Sequence, residues 1–570
     1  MKKVWKGFAA AVSAAAIAAT GFIGATSAYA DDPAPAPTTT AVTITDFKAG
    51  DEFSAYQVLF ATNSGDKNQN YSYTINPKYT NVLRAATSLP LDGTESANNT
   101  AVTDYIADLG SDDSNGMKTF ADALWSAINT AKLGADYSTT TGTLNVPQGY
   151  YLIRQTAAAD GETLSRVLLD TAGNASVNIT TKRDVPTVDK QVEDKNDSTT
   201  DNATWGDSAD HDINDVVNYK LTGTVASNVL EYKQYKFEFK DTMSKGLTFK
   251  QASDTLADTD VTVKIGEKTI STDSYNVALA AATDAEGAYA GGSVLTITFP
   301  NLLTAKYTDD ADVRADLPEA AIDVFYAATL NSNAIVGQAG NPNKVDLTFA
   351  RDPHYSGTGE PTTTTPPQAA IVFTYDTTVS KTDQNGNALA GAEFALLKLN
   401  ATTNKWDQFG TTGYTATAFD NTTDMANLTA EQAATLTGTA TTLVSGNQQL
   451  TFKGVDDGQY AIVETKVPAG YNYKTPTLFT VTGGHVVAPG TAGTIDGVTN
   501  LGVWGAPRVN NDNDKVSVSG GNLSTIFENT TGNELPSTGG MGTTMLYVAG
   551  AAIVLIAGIG LAVTLRRRQA

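Results

Sequence analysis

Large apolar residues recur at every second position in stretch after stretch of this chain, and that spacing is the side-chain repeat of a β-strand with one face buried. Tyr235, Phe237 and Phe239 share a face in one such run, Val345, Leu347 and Phe349 in another, and Phe373, Tyr375, Thr377 and Val379 in a third. Short alternating runs in a chain rich in Thr, Val, Tyr, Gly and Asn are the profile of β-sandwiches. Helical spacing appears in the N-terminal third. There Phe120, Leu124, Ala127 and Ile128 of Met117–Lys132 fall on one helix face, and Pro77–Ala86 is a second candidate helix. The first domain therefore reads as a sandwich with helical insertions, opening with the strand-like Ala41–Leu59 and closing with Gly149–Gln155 and Ala175–Thr181.

Three runs of the middle section place a polar residue on the apolar face. Lys190 lies with Val188 and Val192, Asp241 follows Tyr235, Phe237 and Phe239, and Asn343 precedes Val345, Leu347 and Phe349. A single polar residue at a strand end is ordinarily solvated. Three directed at one core demand another account, because an unpaired buried charge is costly. Burial lowers the pKa of an amine and raises that of a carboxyl group, so a neutral Lys190 faces a protonated Asp241. The amine can attack the Asn343 carboxamide while the carboxyl group polarises that carbonyl and relays protons. Ammonia leaves, and an intramolecular Lys190–Asn343 isopeptide bond remains. This chemistry calls for no cofactor and no metal.

Composition narrows the alternatives. The chain has no cysteine, which excludes disulfides, thiolate nucleophiles and Cys-ligated metals. Its three histidines, His211, His354 and His485, lie far apart in sequence and argue against a His-dependent triad or a zinc site. A net charge of −23 argues against nucleic acid as a partner and is read as a contribution to solubility. Met1-Lys2-Lys3 with Lys6, the small apolar Gly7–Ala25 and Ala28-Tyr29-Ala30 form a signal peptide over residues 1–30, so export is expected. At the other end Met545–Leu565 runs for 21 residues without a charge. At about 1.5 Å per residue that is enough to cross a hydrocarbon core of roughly 30 Å as a transmembrane helix. Arg566, Arg567 and Arg568 place the tail, 566–570, on the cytoplasmic side.

Just before this span stands Leu535-Pro536-Ser537-Thr538-Gly539, and the ordered set of pentapeptide, apolar span and basic tail resembles the sorting signal of Gram-positive surface proteins. The resemblance implies that the membrane transpeptidase sortase cuts between Thr538 and Gly539 and passes the threonyl carbonyl to an amine. In the last domain Lys381 continues the alternation of Phe373–Val379, Glu464 follows Tyr460 and Ile462, and Asn529 follows Phe527. With Leu389-Ala390-Gly391-Ala392-Glu393-Phe394 and the run Tyr460–Tyr471, these residues resemble the C-terminal domain of backbone pilins from sortase-assembled pili. That domain is an immunoglobulin-like sandwich of the collagen-adhesin B type. The resemblance implies a Lys381–Asn529 bond promoted by Glu464. Glu393 ranks below Glu464, because Ala392 and Phe394 put it on the opposite face.

Gly149–Gln155 of the first domain matches Gly458–Glu464 at Gly, Tyr and Ile, but Gln155 replaces the carboxylate, so no isopeptide bond is expected there. Family members carry W-x-x-x-V-x-V-Y-P-K at the junction of the first two domains. Here Val177–Lys182 keeps Val-x-Ile-x-x-Lys without the Trp and with Thr-Thr for Tyr-Pro. Lys182 is the expected acceptor of Thr538 from the next subunit, and Lys190, in Pro-Thr-Val-Asp-Lys, is the competing candidate.

The resulting expectation is a mainly β chain of tandem immunoglobulin-like sandwiches, the first with helical insertions. Its parts are a signal peptide (1–30), an N-terminal domain (31–182), a middle isopeptide-forming domain (183–355), a linker (356–368) and a C-terminal domain (369–533), then the motif and the span. The function the resemblance implies is that of the major subunit of a covalently polymerised, wall-anchored pilus supporting adhesion, a sortase substrate and not an enzyme acting on others. Its partners would be pilus-type and housekeeping sortases, identical subunits, accessory or tip pilins, peptidoglycan, and a host matrix protein or glycan. A monomeric wall-anchored adhesin is the alternative. A surface hydrolase lacks a motif that assembles nucleophile, base and orienting group.

Overall fold

The computed structural model describes residues 39–532, apart from 64–70, 111–114, 182–183, 284–286, 338, 354, 356–359, 484–492, 496–497, 502–507, 511–514 and 520. The signal peptide, Lys182, the Leu535–Gly539 motif and the Met545–Leu565 span lie outside the described residues. Among those described, no helix is long and apolar enough to cross a membrane.

The first domain is built around the long strand Glu52–Asn63, which pairs with Tyr71–Ile75, Tyr137–Thr139 and Gly149–Ala157. Alternation serves two cores here. Phe53 and Ala55 face a three-stranded sheet, formed by Thr39–Ile44 between Thr143–Pro147 and Ser176–Ile179, while Tyr56 and Val58 face three helices. A register shift between Gln57 and Leu59 separates the two patterns. The helices are Thr80–Thr87, preceded by a 3₁₀ turn at Pro77–Tyr79, then Glu95–Asp108 and Asn115–Thr130. The middle one was not legible. It buries only Val102 and Ile106 and is otherwise Asn-, Thr- and Ala-rich, and its N-terminus is set by Thr94, whose hydroxyl accepts from the Ala97 amide.

Two seven-stranded sheets enclose the core of the second domain. One contains Val188–Asp194, Val216–Thr224 and Ala321–Leu330; the other contains Phe237–Met243 between Ser293–Phe299 and Asn341–Ala350.

Part of the expected linker is paired, and Gln368–Phe373 serves both domains: Ala370 and Val372 pack in the second core, Ala369, Ile371 and Phe373 in the third. Strands Thr362–Thr364 and Gln368–Phe373 both pair with Asn341–Ala350 of the second sandwich, and Ser208–Asp210 adds a parallel partner. Asn341 fixes this arrangement. Its buried amide donates to Val372 O (3.2 Å) and Ile335 O (3.1 Å) and accepts from the Ile335 amide (2.8 Å). Thr374 alone then separates Gln368–Phe373 from Tyr375–Asp383, the first strand of the third domain.

That strand is central in its sheet, antiparallel to Asn447–Val455 and parallel to the last strand, Asn522–Asn529. The facing sheet holds Glu393–Asn400, Gly458–Lys466 and Thr477–Thr482, and Phe394, Leu396, Tyr460 and Ile462 pack from it onto Val379 and Phe527. Its outer face is covered too, with Ala395, Leu397, Ala461 and Val463 packed against Trp406, Phe419, Met425 and Leu428.

Candidate functional site: buried lysine and asparagine pairs

In the second domain the structure brings together all three residues that alternation directed inward. Lys190, Asp241 and Asn343 are each at most 1% exposed. Lys190 arrives from one sheet; Asp241 and Asn343 arrive from adjacent strands of the other, where Asp241 is opposite Val345 and Met243 opposite Asn343. The Lys190 amine donates to Asp241 Oδ2 and, at 2.9 Å, to the hydroxyl of Tyr326. That hydroxyl donates to Asp241 Oδ1 (3.0 Å) and accepts from Asn343 Nδ2 (2.6 Å). The Tyr326 ring stacks on Tyr219 with centroids 5.2 Å apart, and the amine sits over both rings at 4.7 and 5.3 Å. Burial pushes the Lys190 amine below the ordinary lysine value and the Asp241 carboxyl above the ordinary carboxylate value, each partly opposed by the other's charge.

The third domain assembles Lys381, Glu464 and Asn529, again at most 1% exposed. Because the first and last strands are parallel, Asp383 is level with Asn529 and Lys381 with Phe527. The Lys381 amine donates to the carbonyls of Thr382 (2.9 Å) and Phe527 (3.0 Å). Asn529 Nδ2 donates to Glu464 Oε2 (2.9 Å) and to Asn472 O (2.7 Å). Burial lowers the Lys381 pKa to about 8 and raises that of Glu464. Glu393 is partly exposed and pairs with Lys466 at 2.9 Å, away from this group.

One mechanistic detail differs from expectation. Neither carboxyl group reaches the amide carbonyl: Asn343 Oδ1 and Asn529 Oδ1 are buried without a hydrogen-bond partner among the described residues. Glu464 meets the amide nitrogen, and Asp241 interacts with the Asn343 amide directly and through Tyr326. The carboxyl groups are thus placed to move protons on nitrogen.

The first domain has no such constellation around Gln155. Its amide donates to Asp51 Oδ1 at 3.0 Å and its oxygen accepts from the Ser165 amide at 3.3 Å, with no lysine amine among these partners. Of the three histidines only His211 is described. It is buried, with Nε2 2.9 Å from Glu193 O.

A further buried lysine was missed. Lys398 follows Phe394 and Leu396 on the same strand face, so the period marked it, but its partners come from loops of both domains. Its amine donates to Asp212 Oδ2 (2.6 Å), to Asp456 Oδ1 and, at 3.5 Å, to the partly exposed Asp197. Asp197, Asp212, Asp215 and Asp456 lie close enough to hold a cation, and the Lys398 ammonium supplies that positive charge. These carboxylates raise the Lys398 pKa well above the ordinary value despite burial, the opposite direction from Lys190 and Lys381.

Parallel first and last strands, with a buried amine, amide and carboxyl group at one end, mark the third domain as a closed β-sandwich. In agreement, a family described as SpaA, prealbumin-like fold domain, matches residues 376–489. The trypsin-resistant surface T6 protein of Streptococcus pyogenes serotype M6 is 23% identical over 370 residues, 59% of this chain and 56% of that protein, so the chain spans about half the length of this curated relative. Among solved structures, the T6 backbone pilin of serotype M6 S. pyogenes aligns with a TM-score of 0.45 and 18% identity over 87% of this chain and 98% of that one. The full-length major pilin SpaD of Corynebacterium diphtheriae aligns with a TM-score of 0.45 and 14% identity over the same shares, 87% and 98%.

Proposed function

We propose that this chain is the backbone subunit of a covalently polymerised pilus on a Gram-positive cell wall, with isopeptide bonds Lys190–Asn343 and Lys381–Asn529 formed by the folded domains themselves. The observation that carries the reading is that two successive sandwiches each bury a lysine on the first strand, an asparagine on the last long strand and a carboxyl group beside them. Amide formation uses all three at once, and the lowered amine pKa favours the nucleophilic form. The match of residues 376–489 to the SpaA domain and the T6 relative support the same assignment.

Sortase, acting at Thr538, would join each subunit to Lys182 of the next, with Lys190 freed for its internal bond; the last subunit would pass to peptidoglycan. The two internal bonds close loops of about 150 residues each, for which the chain-entropy account gives a stabilisation on the order of 4–5 kcal/mol. Host-ligand binding and accessory subunits belong to the same proposal as partners of the assembled fibre.

Intact mass tests it. The exported region should weigh about 34 Da less than its sequence, one ammonia of about 17 Da per bond. Asp241→Ala and Glu464→Ala should each restore about 17 Da. Wall extracts should give an SDS-resistant ladder that Lys182→Ala abolishes. A mass equal to the sum of the residues removes the internal bonds, and a single band in place of the ladder identifies a monomeric adhesin.

A further inference from the structure

We infer that Tyr326 is a catalytic residue of the second domain, the proton carrier between the attacking amine of Lys190 and the departing nitrogen of Asn343. The inference rests on the isopeptide reading above.

Forming the bond requires two proton movements. The attacking Nζ must lose a proton once it bonds to the amide carbon, and Nδ2 must gain one to leave as ammonia. A relay built into the fold consists of side chains that touch both nitrogens. Asp241 touches Nζ through Oδ2 and interacts with the Asn343 amide, but it is also bonded to the Tyr326 hydroxyl that lies between them. The Tyr326 hydroxyl makes all three contacts: Nζ at 2.9 Å, Nδ2 at 2.6 Å and Asp241 Oδ1 at 3.0 Å.

The step balances around this ring. With Asp241 protonated on Oδ1 at the outset, Nζ attacks the Asn343 carbonyl carbon and gives a proton to Asp241 Oδ2. The Tyr326 hydroxyl turns to Nδ2, passes its proton there and takes the Oδ1 proton in its place. The carbon–Nδ2 bond breaks, ammonia leaves, and the carboxyl and phenol groups return to their starting state. Tyr326 suits the task because it is held rigidly. It is 5% exposed, stacked on Tyr219, and sits on Ala321–Leu330 with Ile322, Val324 and Ala328 facing the same core.

The third domain supplies a built-in control. There Glu464 accepts directly from Asn529 Nδ2 at 2.9 Å, and among the described residues no tyrosine hydroxyl bridges the pair. Two chemistries follow: a relay through phenol and carboxyl in one sandwich, a carboxyl alone in the other.

The test is a time course of bond formation in the full chain during cell-free synthesis, quenched in denaturant and read as cross-linked peptides for each pair. Tyr326→Phe, which keeps the ring, should slow Lys190–Asn343 closure at least tenfold, as much as Tyr326→Leu does, and leave Lys381–Asn529 closure unchanged. The pH dependence of closure should also change in the second domain only. Trypsin resistance of Lys190→Ala with and without Tyr326→Phe separates chemistry from folding: equal resistance is expected. Closure of the Phe variant at the wild-type rate overturns the inference while leaving the bond itself standing. So does a double variant digested like an unfolded chain, for then the hydroxyl acts through packing. Failure of the unmodified chain to join Lys190 to Asn343 brings down the functional reading as well.

Discussion

At the scale of single residues, what matters is how many carboxylates a buried lysine meets. Lys398 faces Asp212 and Asp456 and is held as an ammonium ion; Lys190 faces Asp241 alone, and Lys381 has only backbone carbonyls within hydrogen-bond reach. Desolvation therefore wins at the last two. The consequence is measurable where the bond cannot form. In Asn529→Ala the unfolded chain holds the Lys381 proton up to the ordinary value of 10.5 while the folded chain releases it near pH 8. Unfolding then takes up a proton in that window, so stability should rise from pH 8 to 10.5, by about 3 kcal/mol, and stay level below pH 8. Hydrogen exchange of strand Tyr375–Asp383 reads this, and the slope should vanish when Lys381→Met is added. Much of this was legible: Lys190, Asp241, Asn343, Lys381, Glu464 and Asn529 all follow from a two-residue period. Tyr326 did not stand out. A tyrosine on an apolar strand face resembles any core aromatic, and only the position of its hydroxyl relative to two other strands gives it a role.

At the scale of elements, alternation located most strands but could not assign them to sheets. Gln368–Phe373 is buried from Ala369 onward, so its sequence showed depth and not which neighbour covers it. The deciding interactions are long-range: the pairing with Asn341–Ala350 and the Asn341 side chain. Asn341→Ala leaves the amide of Ile335 without its side-chain acceptor and removes a donor from the Val372 carbonyl, at a cost of about 1–3 kcal/mol. Faster hydrogen exchange confined to Gln368–Phe373 and Ile335 should show it. Helix Glu95–Asp108 was missed for a different reason: with two buried apolar residues in four turns, its periodicity is too faint to read.

At the scale of the whole chain, the second and third domains meet in a polar core of their own. Lys398 belongs to the third domain and Asp212 to the second, and Gly454 approaches so closely that a Cβ there would lie 2.2 Å from Ile213. Lys398→Ala strands two buried carboxylates and should cost about 3–5 kcal/mol of coupling between the domains. Calorimetry should resolve separate melting transitions where the parent chain shows a merged one. Gly454→Val should loosen the same joint by steric clash, its positive φ of 80° adding strain.

The parallel pairing of Tyr375–Asp383 with Asn522–Asn529 bears on what happens when such a chain is stretched. Tension entering at Tyr375 and leaving beyond Asn529 would try to slide these strands past each other, loading their hydrogen bonds in shear all together instead of peeling them one by one. In the second domain the entering strand, Val188–Asp194, and the strand that leads out, Gln368–Phe373, lie in opposite sheets, and the pull would run across the core that the Lys190–Asn343 pair spans. Without its cross-link the second domain is therefore the one that should yield first under force.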